Sequence, residues 1–257
     1  MYKIFDTTDE VSHYAAARLL GTIKAIPTAV LGLATGSTMV PVYAQLLRGL
    51  QQAAVDVSTV TTFNLDEYVG LSAGHAQSYH YYMYQHLFNE LNIPAQNIHL
   101  PDGMASNLDE ACQSYTDTIK IRGGLDFQLL GIGTNGHIGF NEPQTSFASR
   151  THVVELTAQT RLDNSRFFAD KHEMPTRAIT LGILDILEAK EIVLVATGRN
   201  KADIMAELYH SEIDEALPAS ALKQHANLTI VLDREAASAL PREAVEKKIA
   251  SAPADFL

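Results

Sequence analysis

The sequence predicts an α/β protein: a three-layer αβα, Rossmann-like fold with a mostly parallel sheet and helices on both faces. Three observations predict it. Short apolar, β-branched runs alternate along the chain with amphipathic helical stretches. Several of the runs are apolar nearly throughout, as strands covered on both faces should be. No internal repeat, low-complexity tract or Pro/Gly/Ser-rich linker interrupts the alternation, so residues 1–257 are expected to form one domain.

The elements follow in chain order. The run Ala29–Ala34 is the first candidate strand, and Met39, Val42, Tyr43, Leu46, Leu47 and Leu50 then recur at helical spacing. Thr59–Phe63 is the second strand. Leu108, Ala111, Cys112, Tyr115 and Ile119 mark a second helical face, which places Cys112 in the core as a small hydrophobe. Phe127–Ile132, Ala178–Leu181, Glu191–Ala196 and Leu228–Leu232 complete the strands, and Ala202, Ile204, Met205 and Leu208 mark a helix after the fifth. In such sheets ligands bind outside the carboxyl ends of the strands. The loop after each strand is therefore where function is sought.

Composition narrows the classes. A hydrophobic content of 46% with 19% charged residues is ordinary for a globular protein. The net charge of −11, without a Lys/Arg run, argues against nucleic acid as a partner. Cys112 is the only cysteine, which excludes an internal disulfide and a Cys-based zinc site and fits a reducing compartment. The N-terminal MYKIFDTTDE lacks the apolar core of a signal peptide. No apolar run approaches the ~20 residues of a membrane span. The expectation is a cytoplasmic protein without a membrane partner.

Four loops carry chemistry. The first, Thr35-Gly-Ser-Thr38, opens a helix. Backbone N–H groups there, with three hydroxyls and the close approach that Gly36 permits, suit an anion; simple N-capping by Ser37 or Thr35 is the alternative. The P-loop spacing is absent. The second, Asn64-Leu-Asp-Glu-Tyr68, pairs two acids that could hold a metal, act as a general base or form a solvated turn. The third, Gly133-Thr-Asn-Gly-His-Ile-Gly-Phe-Asn-Glu-Pro143, presents His137 and Glu142 in a glycine-rich turn. A His beside a carboxylate can act as acid and base near neutral pH; a His bonded to a backbone carbonyl, with Glu142 in solvent, is the structural alternative. Gly131-x-Gly133-x-x-Gly136 is formally a dinucleotide fingerprint, but Gly139 and Pro143 oppose the helix it requires. The fourth, Thr197-Gly-Arg-Asn-Lys201, places Lys201 where it could reach an anion or simply face solvent. Arg161 and Arg166, between the third and fourth strands, could clamp a phosphate.

Together these loops set an anion cradle, a carboxylate, a His/carboxylate pair and a lysine on one edge of one sheet. That set suits a small phosphorylated substrate undergoing proton transfers. No HExxH, EF-hand loop or trusted histidine spacing offers a metal cage, so neither metal nor cofactor is expected. Sugar phosphates fit: ring opening needs an acid/base, and moving a C2 proton needs a carboxylate.

The segments LATGSTMVPVY (33–43), TFNLDEYVGL (62–71), SYHYYM (78–83), GIGTNGHIGFNEP (131–143), SFASRTHVVELTAQTRLDNSRFF (146–168) and LPAS (217–220) resemble those of the glucosamine-6-phosphate deaminases. The resemblance covers nearly the whole chain, and NLDEY together with GHIGFNEP is specific to that family; the related phosphogluconolactonases share the fold without GHIGFNEP. It implies a hydrolase acting on a C–N bond, converting glucosamine 6-phosphate to fructose 6-phosphate and ammonia. It implies Asp66 as the base that moves the C2 proton to C1, and His137 with Glu142 and Asn135 as the ring-opening group. It assigns the phosphate to Thr35, Gly36, Ser37, Thr38, Arg166 and Lys201, and an active-site lid to residues 146–170. Glu67 receives no step. A lactonase or isomerase of the same superfamily, and a non-catalytic sugar-phosphate sensor, are the competing expectations.

Two departures from the family pattern matter. Many relatives carry Asp where Asn135 stands, and a neutral amide cannot stabilise an imidazolium by charge. The allosteric relatives are hexamers that bind N-acetylglucosamine 6-phosphate through an Arg and a Lys aligned with His152 and Val154. Those two side chains cannot replace two cations, so no such activation is expected, and a monomer is.

Overall fold

The computed structural model describes residues 1–165, 168 and 174–243. Seven parallel strands form the central sheet. They are β1 (Tyr2–Phe5), β2 (Val30–Leu33), β3 (Thr61–Asn64), β5 (Ile98–His99), β6 (Phe127–Leu130), β9 (Ile192–Ala196) and β10 (Leu228–Asp233). Their order across the sheet is β1-β10-β9-β6-β2-β3-β5. The chain winds outward from β2 through β3 to β5, then returns to the other side of β2 as β6. The winding direction thus reverses between β2 and β6, and a crevice opens at their carboxyl ends.

Helices surround this sheet. α1 (Thr8–Ala25) packs against α2 (Met39–Gln52) and along β10. α1 starts at a reciprocal cap: Thr7 Oγ1 accepts the Glu10 N–H at 3.2 Å and Glu10 Oε2 accepts the Thr7 N–H at 2.9 Å. α4 (Leu108–Ile121) turns Cys112, Tyr115 and Ile119 inward, and the Tyr115 hydroxyl donates to Asn64 O at 2.7 Å. α7 (Ala202–His210) follows β9. β9 is buried along its whole length, so Ile192, Val193, Leu194 and Val195 each contribute roughly 1.5–3 kcal/mol of burial. Among the described residues no helix is long and apolar enough to cross a membrane.

The strand expected at Ala178–Leu181 exists, as β8 (Arg177–Thr180), but not in the parallel sheet. It is the centre of a separate three-stranded antiparallel sheet, between β4 (Asp66–Tyr68) and β7 (His152–Glu155). Its burial hides which sheet it joins, since Ala178, Ile179 and Thr180 are as enclosed as a central parallel strand. The chain crosses between the sheets at Leu65. Its N–H bonds Leu33 O in the first sheet at 3.0 Å, and its carbonyl accepts the Leu181 N–H at 2.6 Å beside the second. Asp66 therefore lies on a short strand rather than in a loop. β1, β5, β7 and α1 had no counterpart among the expected elements. Two shorter helices, α3 (Tyr79–His86) and α5 (Ala158–Ser165), flank the crevice, and α6 (Ile183–Leu187) follows β8.

Candidate active site

A cavity of about 480 Å³ lies over the carboxyl ends of β2, β3, β6 and β9. Thr35–Thr38, Asp66, Gly133, His137 and Lys201 all line it, with Thr8, Tyr79, Phe140, Thr160 and Asn200. Its size suits a small ligand.

The β2–α2 turn forms one wall. Gly36 takes φ +105°, a left-handed conformation that favours glycine, and an added Cβ there would meet nothing within 4 Å. Backbone torsion, not space, selects glycine. Thr38 occupies the N-cap position and makes no side-chain cap bond. The turn is braced from outside: Tyr82 Oη donates to Gly36 O at 2.8 Å and Tyr43 Oη to Ala34 O at 2.5 Å. Opposite, Lys201 ends a 3₁₀ turn after β9, and its Nζ donates to Ile132 O at 2.7 Å. That bond draws the ammonium toward the β6 loop. Asp233 organises the same turn by accepting the Gly198 N–H at 3.0 Å and the Thr8 hydroxyl at 2.9 Å. Arg161 lies on α5, partly buried. Arg166 lies outside the described residues.

Asp66 forms the floor. It is only 6% exposed, and burial, with the charge of Glu67 beside it, pushes its carboxyl up to about 8. The acid pair is thus no solvated turn. Glu67 holds backbone together. Its Oε1 accepts the N–H groups of Tyr68 at 2.8 Å and Tyr79 at 3.0 Å, and its Oε2 that of His80 at 2.9 Å. It caps α3 and pins β4 to it. Burial outweighs those three bonds, and its carboxyl also sits above the usual range. The capped helix carries Tyr79 to the cavity wall, a residue that the sequence offered only inside SYHYYM.

The glycine-rich loop folds into a turn rather than a dinucleotide-binding helix. Gly133 N–H bonds His137 O at 2.9 Å, and Ile138 bridges Asn141. The imidazole lies directly on Gly133, where a Cβ would come within 2.2 Å of His137 Cε1. Glycine is needed there for close approach. Gly133→Ala is therefore expected to displace the imidazole and lower kcat by about 10²-fold, the typical cost of a misplaced catalytic group. Steady-state kinetics at unchanged folding, followed by circular dichroism, would check this; wild-type turnover would contradict it.

His137 Nδ1 stands 3.6 Å from Glu142 Oε2, an ion-pair distance just beyond a hydrogen bond. Asn135 spans the pair, donating from Nδ2 to Glu142 Oε2 at 2.7 Å and accepting the His137 N–H at 3.3 Å. It touches the His137 backbone, not its ring. Burial alone would raise the Glu142 carboxyl, but His137, Thr160 and Asn135 together hold it down at about 2. Glu142 is thus a buried anion, 6% exposed, aimed at an imidazole on the cavity wall. An Asp in place of Asn135 would face Glu142 with a second carboxylate.

Among the described residues no group of three His, Cys, Asp or Glu side chains could hold a metal ion. Cys112 is buried, and burial, with Asp109 nearby, pushes its thiol up to about 11, far from a reactive thiolate.

The family model of glucosamine-6-phosphate isomerases and 6-phosphogluconolactonases matches residues 6–231. A glucosamine-6-phosphate deaminase of Thermoanaerobacter pseudethanolicus is 48% identical over 235 residues, covering 91% of this chain and 93% of the relative. One of Shouchella clausii is 49% identical over 236 residues, covering 92% and 96%. The solved structure of a monomeric glucosamine-6-phosphate deaminase superposes with a TM-score of 0.91 at 45% identity, covering 93% of this chain and 99% of its own. With its parallel sheet, its buried acid and its His/Glu turn, the chain belongs to the glucosamine-6-phosphate isomerase/6-phosphogluconolactonase family, on its glucosamine-6-phosphate deaminase branch.

Proposed function

We propose that the protein converts glucosamine 6-phosphate and water to fructose 6-phosphate and ammonia, a C–N hydrolysis coupled to aldose–ketose isomerisation. One observation carries this reading: a buried carboxylate of raised pKa, Asp66, shares a single cavity with the Thr35–Thr38 turn and with His137, which Glu142 backs at 3.6 Å. The phosphate sits on Thr35, Gly36, Ser37 and Thr38 with Lys201, and with Arg166 by family resemblance. His137, held by Glu142 and Asn135, moves the proton between the anomeric hydroxyl and the ring oxygen and opens the pyranose. Asp66 then takes the C2 proton, leaving an enolamine, and returns it to C1. The resulting ketimine adds water at C2 and expels ammonia, which balances the reaction. Each acid/base step contributes about 10²–10⁴-fold.

The test is direct. Metal-stripped protein is given glucosamine 6-phosphate, and ammonia and fructose 6-phosphate are followed in separate coupled assays. Equal yields without added cofactor are expected. Binding without either product would favour a sensor instead.

Finer properties belong to the same reading. The chain acts as a single-domain monomer in the cytoplasm, with a lid segment near residues 146–170, of which 166, 167, 169 and 170 lie outside the described residues. His152 and Val154 lie on β7, and His152 Nδ1 is 2.8 Å from Arg150 O, so neither position offers a cation pair. N-acetylglucosamine 6-phosphate is expected to leave the rate unchanged. A clear rise in initial rate on adding it would refute that.

A further inference from the structure

The carboxylate that faces His137 is held from a side that the GHIGFNEP motif does not contain. Glu142 Oε2 serves the loop, through Asn135 and His137. Oε1 instead meets the start of α5. Thr160 Oγ1 donates to it in a short hydrogen bond, and Thr157 Oγ1 reaches the same oxygen at 3.3 Å. The two hydroxyls are 3.0 Å apart, and Thr157 Oγ1 also accepts the Thr160 N–H at 3.1 Å, which makes it the helix cap. Thr160 is 3% exposed and stands on the cavity wall. A hydroxyl donating to a carboxylate is a charge-assisted bond, roughly twice as strong as a neutral one. Both oxygens of Glu142 are therefore fixed, one by the loop and one by the helix that begins at Ala158.

We propose that Thr160, backed by Thr157, is a positioning residue of the reaction: the first turn of α5 aims Glu142 at His137, so the ring-opening pair is complete only while α5 is docked. The inference rests on the deaminase reading of the site and adds to it a helix whose placement controls the chemistry. With the α5 hydroxyls gone, Oε1 loses both of these restraints. The carboxylate can then turn, and its pKa rises, because the Thr160 bond to its charged form is lost. The titratable side chain facing Glu142 is that of His137, at 3.6 Å.

The experiment compares Thr160→Val, which keeps the side-chain shape and removes the hydroxyl, with Thr160→Ser, which keeps the hydroxyl. Thr160→Val is expected to lower kcat on cyclic glucosamine 6-phosphate by about 10- to 100-fold, the cost of a mis-aimed catalytic group. Its inhibition constant for 2-amino-2-deoxyglucitol 6-phosphate, an open-chain analogue needing no ring opening, should stay at the wild-type value. Thr160→Ser should restore most of kcat. Wild-type kcat in Thr160→Val would overturn the proposal, as would equal damage in the Ser variant. A loss of analogue binding as large as the loss of kcat would also overturn it, since that is general damage to the pocket.

A second pair guards against misfolding. Thr157→Asn and Thr157→Asp both cap a helix well, but only Asp sets a new carboxylate against Glu142. The Asp variant should be much the slower; equal rates would overturn the proposal. Wild-type protein that releases no ammonia would defeat the deaminase reading itself. An active wild type with an indifferent Thr160→Val variant would defeat this inference alone.

Discussion

Asp66→Asn is expected to lower kcat by on the order of 10⁴-fold, the upper range for a lost general base, while the sugar phosphate still binds. The cradle at Thr35–Thr38 and Lys201 lines the same cavity and offers backbone N–H groups, hydroxyls and an ammonium that do not need the Asp66 charge. Isothermal titration with substrate analogue and single-turnover kinetics would separate the two; substantial residual turnover would remove Asp66 from its role.

The same variant is expected to be more stable than the wild type in alkali. The Asp66 carboxyl moves from 3.8 to about 8 on folding, so the folded state holds its proton more tightly than the unfolded chain. Below about pH 4 the group is protonated in both states and the fold bears no penalty. As the pH rises toward 8 the unfolded chain ionises first and stability falls; above 8 the loss is complete, on the order of 5 kcal/mol. Asn bears no such charge. Urea unfolding should therefore show a stability gain for Asp66→Asn near pH 9 that vanishes near pH 4. A gain independent of pH would mean that the charge is not its cause. The catalytic sign runs the other way. The base must be a carboxylate, so wild-type kcat/KM should climb as pH rises toward about 8. The site trades stability for a base of useful strength.

His137→Gln is the second large effect. Gln can hydrogen-bond but cannot carry a proton between the anomeric hydroxyl and the ring oxygen. Turnover of cyclic glucosamine 6-phosphate is expected to fall by about 10²–10⁴-fold. The 5-deoxy analogue cannot close a pyranose and bypasses the step, so the loss on it should be far smaller. Equal losses on both would place His137 elsewhere in the mechanism. Glu142 sharpens the expectation: held at about 2, it is an anion throughout the working range and orients His137 without competing for its proton.

Much of this was legible in the residues alone. Val30–Leu33, Phe127–Leu130 and Ile192–Ala196 fall within the runs expected for them, because a strand covered on both faces is apolar nearly throughout. The loops after them were legible as one edge, because parallel strands point their carboxyl ends the same way. Ala178–Leu181 was legible as a strand but not as part of a second sheet. Burial constrains side-chain character, and a strand buried in either sheet reads alike. Glu67 was opaque for a related reason: its three partners are the backbone N–H groups of Tyr68, Tyr79 and His80, which have no sequence signature.

The sequence by itself determined the α/β architecture, the edge that carries the chemistry, and which side chains could perform it. Those properties follow from local hydrophobicity, turn-forming glycines and the chemistry of each residue type. Only the tertiary structure decided what state those groups are in. Asp66 is a weak acid and Glu142 a strong one because the first is enclosed beside another carboxylate, while the second faces His137 and collects donors from Thr160 on α5 and from Asn135. A pKa is set by solvation and by charges within a few ångströms, and those neighbours come from strands and helices far apart in the chain.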